Sequence, residues 1–342
     1  MNRRLMLALS ALLGVAACVP DDLPTQAVHG AAFAKASISG RLKTYRIPTA
    51  NTQPRDIVLG SDGAMWFTES RLEVSQIGRV DAAGNFTEFV VPTRDGQPSE
   101  IVAGPDGALW FTQPSGFPDA YIVRLTTDGQ FTQFAPGDCG EFGCSSIVPN
   151  DLVFGPDGKL WFTEGIGNQI GKLDPVTGQF TFYAIPTAGA GPTGITVGPD
   201  GALWFTEFQA NQVGRIDPAT GAITEFGTSS GGGWRIATGS DGRLYFTMPF
   251  TSSIGRLDPA TGTITEFALA TPSQPRDIVL GPDGNLWFVE YGADALSMIT
   301  PGGVVTRVKT IRGGPWGIGV GADNSLWVTL FDDNKLASFT LR

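Results

Sequence analysis

The chain has few of the side chains that carry proton transfer and metal binding near neutral pH. Among its 342 residues are three cysteines and a single histidine, His29, and charged residues make up only 16%. One histidine excludes a catalytic or metal site built from several imidazoles. Acidic residues outnumber Lys and Arg by 33 to 23, and the net charge of −10 argues against a nucleic-acid partner, which needs a basic face.

The chain also lacks an apolar run of the length that crosses a bilayer, about 20 residues. The uncharged stretch over residues 5–15 follows Arg3 and Arg4 and is typical of a signal-peptide core. We therefore predict an exported protein whose signal peptide occupies residues 1–17.

The segment Val15-Ala16-Ala17-Cys18 resembles the lipobox of bacterial lipoproteins, in which Cys18 becomes the acylated first residue. Cleavage after Ala17 by an ordinary signal peptidase is the alternative, because small residues also fit that site. A lipid on Cys18 would attach the protein to a membrane without spanning it, facing the periplasm or the cell surface. Residues 18–40 are predicted to form a flexible tether.

Glycine is abundant, with 46 residues, and much of it lies in a sequence that recurs seven times. Each copy has a Gly-Pro-Asp-Gly turn, or a close variant, followed by an aromatic segment of the form Leu-Trp-Phe-Thr-Glu. The copies are spaced by 40 to 51 residues and share, at one turn position, Asp62, Asp106, Asp157, Asp200, Asp241, Asp283 and Asp323. A period of this length made of strand-type segments is typical of a β-propeller.

One repeat, residues 192–226, shows what a blade contains. Four short apolar or alternating segments predict four antiparallel strands, with tight turns at residues 198–201 and 218–221. The Trp or Tyr that recurs in each second strand is predicted to pack between neighbouring blades. The sequence thus predicts an all-β, seven-bladed propeller with four-stranded antiparallel blades.

The two ends of the repeat region complement each other. Residues 41–48 match the fourth strand of a blade, whereas the chain stops after residues 335–339, which match a third strand. We therefore expect the strand at 41–48 to complete the last blade and to close the ring without a wide unpaired edge. The propeller domain is predicted to span residues 41–342.

The remaining two cysteines, Cys139 and Cys144, lie in the one long repeat interval. In an oxidising compartment a local disulfide between them is expected. Zinc binding is not expected there, because no further Cys or His is nearby in the sequence. This insertion and two other lengthened loops are predicted to lie over one mouth of the central channel, as a lid, a docking surface or neutral loop variation.

The repeated Ile-Gly-Arg-Leu/Ile-Asp-Pro, Ile-Thr-Glu-Phe and Gly-Pro-Asp-Gly-x-Leu-Trp-Phe-Thr-Glu segments resemble the virginiamycin B lyase, or streptogramin lyase, family over residues 41–341. The resemblance implies a seven-bladed propeller. It also implies an enzyme that linearises a cyclic depsipeptide antibiotic by elimination at its ester. That chemistry uses magnesium, a histidine after the proline that opens an inner strand, and glutamates that hold the metal.

The chain departs from the family pattern where this chemistry is placed. Arg276 and Trp316 stand at the positions that the resemblance assigns to histidines, and neither can act as a base near neutrality. The metal-holding glutamates align with Gly313 or Gly314 and with residues 330–331, so magnesium is implied by the resemblance while its ligands are missing. We expect the histidine-dependent lyase chemistry to be absent. Weak candidates for a replacement base are Glu207, Glu290 and Asp277.

A binding site is predicted at the starts of the inner strands, which carry a mixed set of acidic and basic residues. This set is interpreted as a self-satisfied ion-pair network, a cation site or a polar ligand site. Trp234, Met248, Trp316 and Leu330 break the repeat pattern and are expected to form an apolar wall beside a guanidinium, suited to an amphipathic or anionic molecule. The candidate ligand-binding residues are Arg55, Asp56, Glu100, Asp151, Trp234, Arg235, Arg276, Asp277 and Trp316.

Three functions agree with these observations. The favoured one is a lipid-anchored propeller, expected to be a monomer, that binds a small molecule or an envelope protein at the channel mouth. The second is a carbon–oxygen lyase of the same family with a rewired, histidine-free site. The third is a structural or interaction protein of the cell envelope.

Overall fold

The computed structural model describes residues 28–30, 39–93, 96–114, 120–135 and 147–342. In these ranges the chain is almost entirely β, with a single 3-10 turn at Tyr291–Ala293. Seven sheets, each with four antiparallel strands of one blade, confirm the predicted propeller. The described residues contain no helix long and apolar enough to span a bilayer. The predicted signal peptide, Cys18 and the pair Cys139 and Cys144 lie outside the described residues.

The strands of the first three blades follow the repeat. Two strands precede the first blade, β1 (Val28–Gly30) and β2 (Gly40–Arg46). Blade one contains β3 (Pro54–Leu59), β4 (Met65–Glu69), β5 (Gln76–Val80) and β6 (Phe86–Val90). Blade two contains β7 (Ile101–Ala103), β8 (Leu109–Gln113), β9 (Tyr121–Leu125) and β10 (Phe131–Phe134). Blade three contains β11 (Pro149–Phe154), β12 (Leu160–Glu164), β13 (Gln169–Leu173) and β14 (Phe180–Ala184).

The remaining blades repeat the same order. Blade four contains β15 (Pro192–Val197), β16 (Leu203–Glu207), β17 (Gln212–Ile216) and β18 (Ile223–Gly227). Blade five contains β19 (Ile236–Thr238), β20 (Leu244–Met248), β21 (Ser253–Asp258) and β22 (Thr263–Ala268). Blade six contains β23 (Pro275–Leu280), β24 (Leu286–Glu290), β25 (Ala295–Ile299) and β26 (Val305–Thr310). Blade seven contains β27 (Pro315–Val320), β28 (Leu326–Leu330) and β29 (Lys335–Leu341).

The ring closes as the sequence predicts. Strand β2 pairs antiparallel with β29, from Gly40 opposite Leu341 to Arg46 opposite Lys335, and supplies the outer strand of blade seven. Next to this seam, the backbone amide and hydroxyl of Thr52 donate to Oδ1 of Asn334 at 2.6 and 2.8 Å. The two ends of the chain are therefore joined by a full ladder and by side-chain contacts.

Blade five carries an additional strand that the sequence did not indicate. Strand β1 lies parallel to the outer strand β22, with Val28 opposite Glu266 and Gly30 opposite Ala268. It falls within the segment predicted to be a tether. Part of the chain before the propeller is thus paired to its rim.

The hydrophobic core is divided into seven clusters, each between two neighbouring blades. The recurring second-strand aromatic is buried in every blade, which confirms its predicted packing role. The ring N–H of this aromatic is hydrogen-bonded in blade four, where Trp204 Nε1 donates to Oδ1 of the turn residue Asp200 at 3.0 Å. Gly201 completes that turn with a φ of 75°, which a residue without Cβ adopts at no steric cost. The repeated Asp-Gly and Trp form the same local structure in blades one, two, three, four and six.

Candidate functional site

The inner strands begin at one mouth of the channel, and Arg235 lies at the centre of the charged residues there. Its Nη1 is 2.8 Å from Oδ2 of Asp151, and its guanidinium also forms an ion pair with Glu100. Its Nε is 3.9 Å from Oδ1 of Asp277. Only 13% of the Arg235 side chain is exposed. One arginine from blade five thus forms ion pairs with carboxylates from blades two, three and six.

The aspartates of this group also join neighbouring blades. Oδ1 of Asp56 accepts from the backbone amide of Ile57, and Oδ2 accepts from the amide of Ile101 in the next blade, both at 2.8 Å. Asp151 and Asp277 repeat this arrangement between blades three and four and between blades six and seven. These carboxylates therefore have a structural role in addition to facing Arg235.

Burial weakens the acidity of these aspartates. It raises the pKa of Asp277 to about 6, against the opposing effect of Arg235. Burial also raises the pKa of Asp151, with a further increase from Asp56, although the amide of Ile195 opposes it. The pKa of Asp56 is raised by burial in the same way, against Arg235. A low-dielectric surrounding disfavours the charged form, which is the common cause.

Two other arginines at the mouth are not neutralised in this way. The guanidinium carbon of Arg276 lies 4.4 Å from the ring centroid of Trp316, and that of Arg55 lies 5.9 Å from the same ring. Within the described ranges, no carboxylate forms an ion pair with either guanidinium, and the Nε atoms of both are buried without a hydrogen-bond partner. Two guanidiniums without a carboxylate partner among the described residues therefore lie over the ring of Trp316.

The pKa shifts of these arginines have the same origin. Burial lowers the pKa of Arg55, and the nearby charge of Arg235 lowers it further. Burial also lowers the pKa of Arg276; Tyr291 opposes this shift, and Arg55 adds to it. Both guanidiniums stay charged, because an arginine pKa lies far above neutrality. The site thus holds unpaired positive charge at a cost in free energy.

Aromatic rings surround these charges. Trp316 stacks on Phe331 with ring centroids 4.9 Å apart and meets Tyr291 edge to face at 5.6 Å. On the other side of the mouth, Trp234 meets Phe208 edge to face at 5.5 Å. Rings of this kind provide apolar surface and π faces for cations or for aromatic ligands.

A cavity of about 200 Å³ opens between these groups. It brings together six of the nine predicted ligand-binding residues, namely Arg55, Glu100, Asp151, Trp234, Arg235 and Trp316. Arg276 and Asp277 line an adjoining crevice with Arg55, Trp234 and Trp316, whereas Asp56 lines neither. A cavity of about 340 Å³ lies at the seam, along β2, and is lined by Lys43, Tyr45 and Trp327. None of the predicted site residues lines that cavity, so we place the candidate site at the channel mouth.

Two residues expected in the apolar wall are elsewhere. Met248 and Leu330 are 0% and 1% exposed and belong to hydrophobic clusters between blades. Their expected place in the wall is wrong, because a side chain at the end of a second strand faces the core between blades. The aromatic rings beside the site belong instead to residues that directly follow a second strand. The sequence analysis does not predict these residues, which are Phe208, Tyr291 and Phe331. The sequence feature that identifies them is an aromatic residue directly after the second strand, which occurs in blades four, six and seven.

The weak candidates for a base have different surroundings. Asp277 lies at the mouth, but its two oxygens accept from two backbone amides. Glu290 accepts from Ser297 and Arg307 and does not line the cavity. Glu207 does not line it either; the side chain is fully buried, and both of its oxygens lack a hydrogen-bond partner. Burial and Glu225 raise the pKa of Glu207 to about 8.

The donor atoms for magnesium do not fit. In the described ranges there is no group of three or more His, Cys, Asp or Glu residues that could hold a metal ion. At the positions that the resemblance assigns to metal-holding glutamates, Leu330 is buried in the core and Phe331 stacks on Trp316. Neither side chain offers the oxygen ligand that magnesium requires.

Comparisons with known proteins agree with the sequence resemblance. The chain matches the virginiamycin B lyase family over residues 4–230 and 227–342. It is 29% identical over 158 residues to a virginiamycin B lyase from Nocardia farcinica (strain IFM 10152), an alignment that covers 46% of this chain and half of the length of that protein. A streptogramin B lyase structure matches with 32% identity and a TM-score of 0.78, covering 89% of this chain and 98% of its own. A catalytically inactive histidine-to-alanine variant of virginiamycin B lyase from Staphylococcus aureus, solved with quinupristin, matches with 30% identity and a TM-score of 0.79, covering 89% and 100%.

Proposed function

We propose that this chain, which belongs to the virginiamycin B lyase family, binds a small organic anion at the mouth of its propeller channel. The observation that carries the proposal is the pair Arg55 and Arg276, two half-buried guanidiniums that lie over the Trp316 ring and have no carboxylate partner among the described residues. The neighbouring Arg235 is already bound by Glu100 and Asp151. The positive charge available to a ligand is therefore that of the two flanking arginines.

An anion would relieve an unfavourable arrangement. Two like charges repel each other, and a buried charge without a partner loses its hydration. A carboxylate or phosphate oxygen between Arg55 and Arg276 would supply both the opposite charge and the missing hydrogen-bond acceptor. The indole of Trp316 would contact an apolar or aromatic part of the same ligand.

Direct binding measurements test this function. We expect benzoate and butanoate to bind the purified protein in isothermal titration calorimetry, and the double variant Arg55→Gln/Arg276→Gln to weaken both by roughly ten- to hundredfold. Arg79→Gln is the matched control, because Arg79 lies in β5, pairs with the turn residue Asp62 at 2.7 Å and lines neither the cavity nor the crevice. Its affinity for both anions should equal that of the wild type.

Stability gives a second readout of the same pair. If the two guanidiniums serve to bind a ligand, the double variant should have a higher melting temperature than the wild type in the absence of ligand. Benzoate should then raise the melting temperature of the wild type but not that of the variant. Equal affinities of the wild type and the double variant, or no binding of either anion, would contradict the proposal.

A lyase with a rewired site is the second candidate. Family membership supports it, as does the related virginiamycin B lyase that was solved with quinupristin. Within this chain, the raised pKa of Asp277, about 6, supports a carboxylate base at the mouth. Its two accepted amide hydrogen bonds oppose this role, so we rank binding above catalysis. Ring opening of quinupristin is the deciding assay.

The place of action is proposed from the leader alone. We propose that the protein is exported and held at a membrane through a lipid on Cys18, with the propeller facing the periplasm or the cell surface.

An envelope protein docked at the mouth is the alternative occupant of the site. In that case both small anions would leave the melting temperature unchanged.

A further inference from the structure

A groove beside the channel mouth adjoins the arginine pair. It has a volume of about 250 Å³ and lies between the loop after β20 and the loop before β23. Its lining consists of Pro249, Phe250 and Pro272, the neutral polar residues Ser252, Thr271 and Gln274, and Arg276. The groove therefore combines an apolar part, formed by Phe250 and two prolines, with neutral polar groups and one arginine.

The exposed side chain of Phe250 is the clearest indication that this groove binds the apolar part of a ligand. It is 82% exposed, although a phenylalanine ring loses favourable free energy when water surrounds it. Its ring lies 5.3 Å from that of Phe208, which in turn meets Trp234 in the cavity wall. Three rings in contact, those of Trp234, Phe208 and Phe250, thus link the cavity wall to the groove lining.

Arg276 belongs to both places. It lines the groove, and it lines the crevice that contains Arg55 and Trp316. An anionic group held by Arg55 and Arg276 would therefore sit where the groove begins. Any chain attached to that group could follow the apolar lining toward Phe250 and Pro272.

We infer that the ligand is an amphipathic carboxylic acid, with its carboxylate between Arg55 and Arg276 and its apolar chain in the groove beside Phe250. This inference rests on the proposed function and names the class of ligand. A single negative charge fits best, because Glu100, Asp151 and Asp277 lie around Arg235 nearby and would repel a dianion. Together the cavity and the groove have the size of a site for a small organic molecule.

A homologous series of straight-chain carboxylates tests the inference. We expect the affinity of the purified protein to rise roughly two- to fourfold for each methylene added from butanoate to octanoate, as each enters the groove. Phe250→Ser should reduce this dependence on chain length, because the side chain lines the groove. Val176→Ser is the matched control, because Val176 is 89% exposed in a turn of blade three, outside the groove lining.

The outcomes separate the two proposals. If butanoate and octanoate bind equally well, or if Phe250→Ser retains the full length dependence, the apolar groove is overturned and the anion site stands. If no carboxylate binds, both proposals fail. If octanol binds as tightly as octanoate, or octyl phosphate binds more tightly, the assignment of a carboxylate head group is overturned.

Discussion

Arg307 holds the carboxylate of Glu290 in blade six, with its Nη2 and Nε 2.6 and 3.1 Å from the two oxygens. At the position of Arg307, blades one and four carry Glu88 and Glu225, each opposite a third-strand glycine. The second-strand glutamates of those blades, Glu69 and Glu207, are fully buried, and their oxygens lack hydrogen-bond partners. Blade six therefore neutralises its buried glutamate with an arginine, whereas blades one and four have a second carboxylate instead.

This contrast predicts a pH-dependent stability. Burial, and then Glu88, raises the pKa of Glu69 to about 8; burial, and then Glu225, raises that of Glu207 to about 8. Because a glutamate in an unfolded chain titrates near 4.3, the folded protein binds more protons between about pH 4.3 and 8. Each group's contribution is complete below the lower pH, and it is lost as the pH rises through about 8.

Urea unfolding at several pH values measures this effect. We expect the free energy of unfolding to fall from pH 5 to pH 8, with a slope of at most about 1.4 kcal/mol per pH unit for each group. The raised pKa values of Asp56, Asp151 and Asp277 act in the same direction. The double variant Glu69→Gln/Glu207→Gln should have a shallower slope. An unchanged slope would show that these glutamates do not hold the protons.

Ring closure gives a second prediction. The full ladder between β2 and β29 means that deleting residues 1–48 removes the outer strand of blade seven and exposes an unpaired edge. We expect a large fall in melting temperature or loss of solubility. Deleting residues 1–38 is the control, because it leaves β2 intact. Equal melting temperatures for the two truncated proteins would contradict the closure.

The repeat accounts for why so much of the fold could be predicted from the sequence. The hydrogen bond between a turn aspartate and the second-strand Trp lies inside one blade, as between Asp200 and Trp204. Local contacts of this kind recur at a fixed spacing and can be recognised without a structure. The missing outer strand of the last repeat likewise appears as a mismatch between the two chain ends.

The site could be predicted only in outline. The inner-strand residues were found, but the pairing of Arg235 with Glu100 and Asp151 brings together blades that are far apart in the sequence. The sequence also does not state which arginine is neutralised and which is left unpaired. Met248 departs from the repeat, and the sequence therefore predicts it in the site. The structure places it in the hydrophobic core instead.

Membrane attachment through Cys18 is tested by Cys18→Ala. We expect the variant to lose the lipid and either to keep its leader or to be released after cleavage behind Ala17. Metabolic labelling with a palmitate analogue and separation of membranes from soluble protein measure both outcomes. A variant that is still processed and still sediments with membranes would contradict acylation at Cys18.

Ring opening of a streptogramin B antibiotic is the last prediction. Elimination at the ester requires a base within hydrogen-bond reach of the proton that it removes, with a pKa near the working pH. Arg276 and Trp316 cannot take that proton, and Asp277 already accepts two backbone amides.

We therefore expect the purified protein to leave quinupristin cyclic in the presence of magnesium, as measured by liquid chromatography and mass spectrometry. An authentic virginiamycin B lyase serves as the positive control. Introducing Arg276→His and Trp316→His together should not confer activity, because Leu330 and Phe331 occupy the place where metal-binding carboxylates are expected. Turnover by the wild-type protein would reverse the ranking of binding over catalysis. Loss of that turnover in Asp277→Asn, with quinupristin binding retained, would then identify the base.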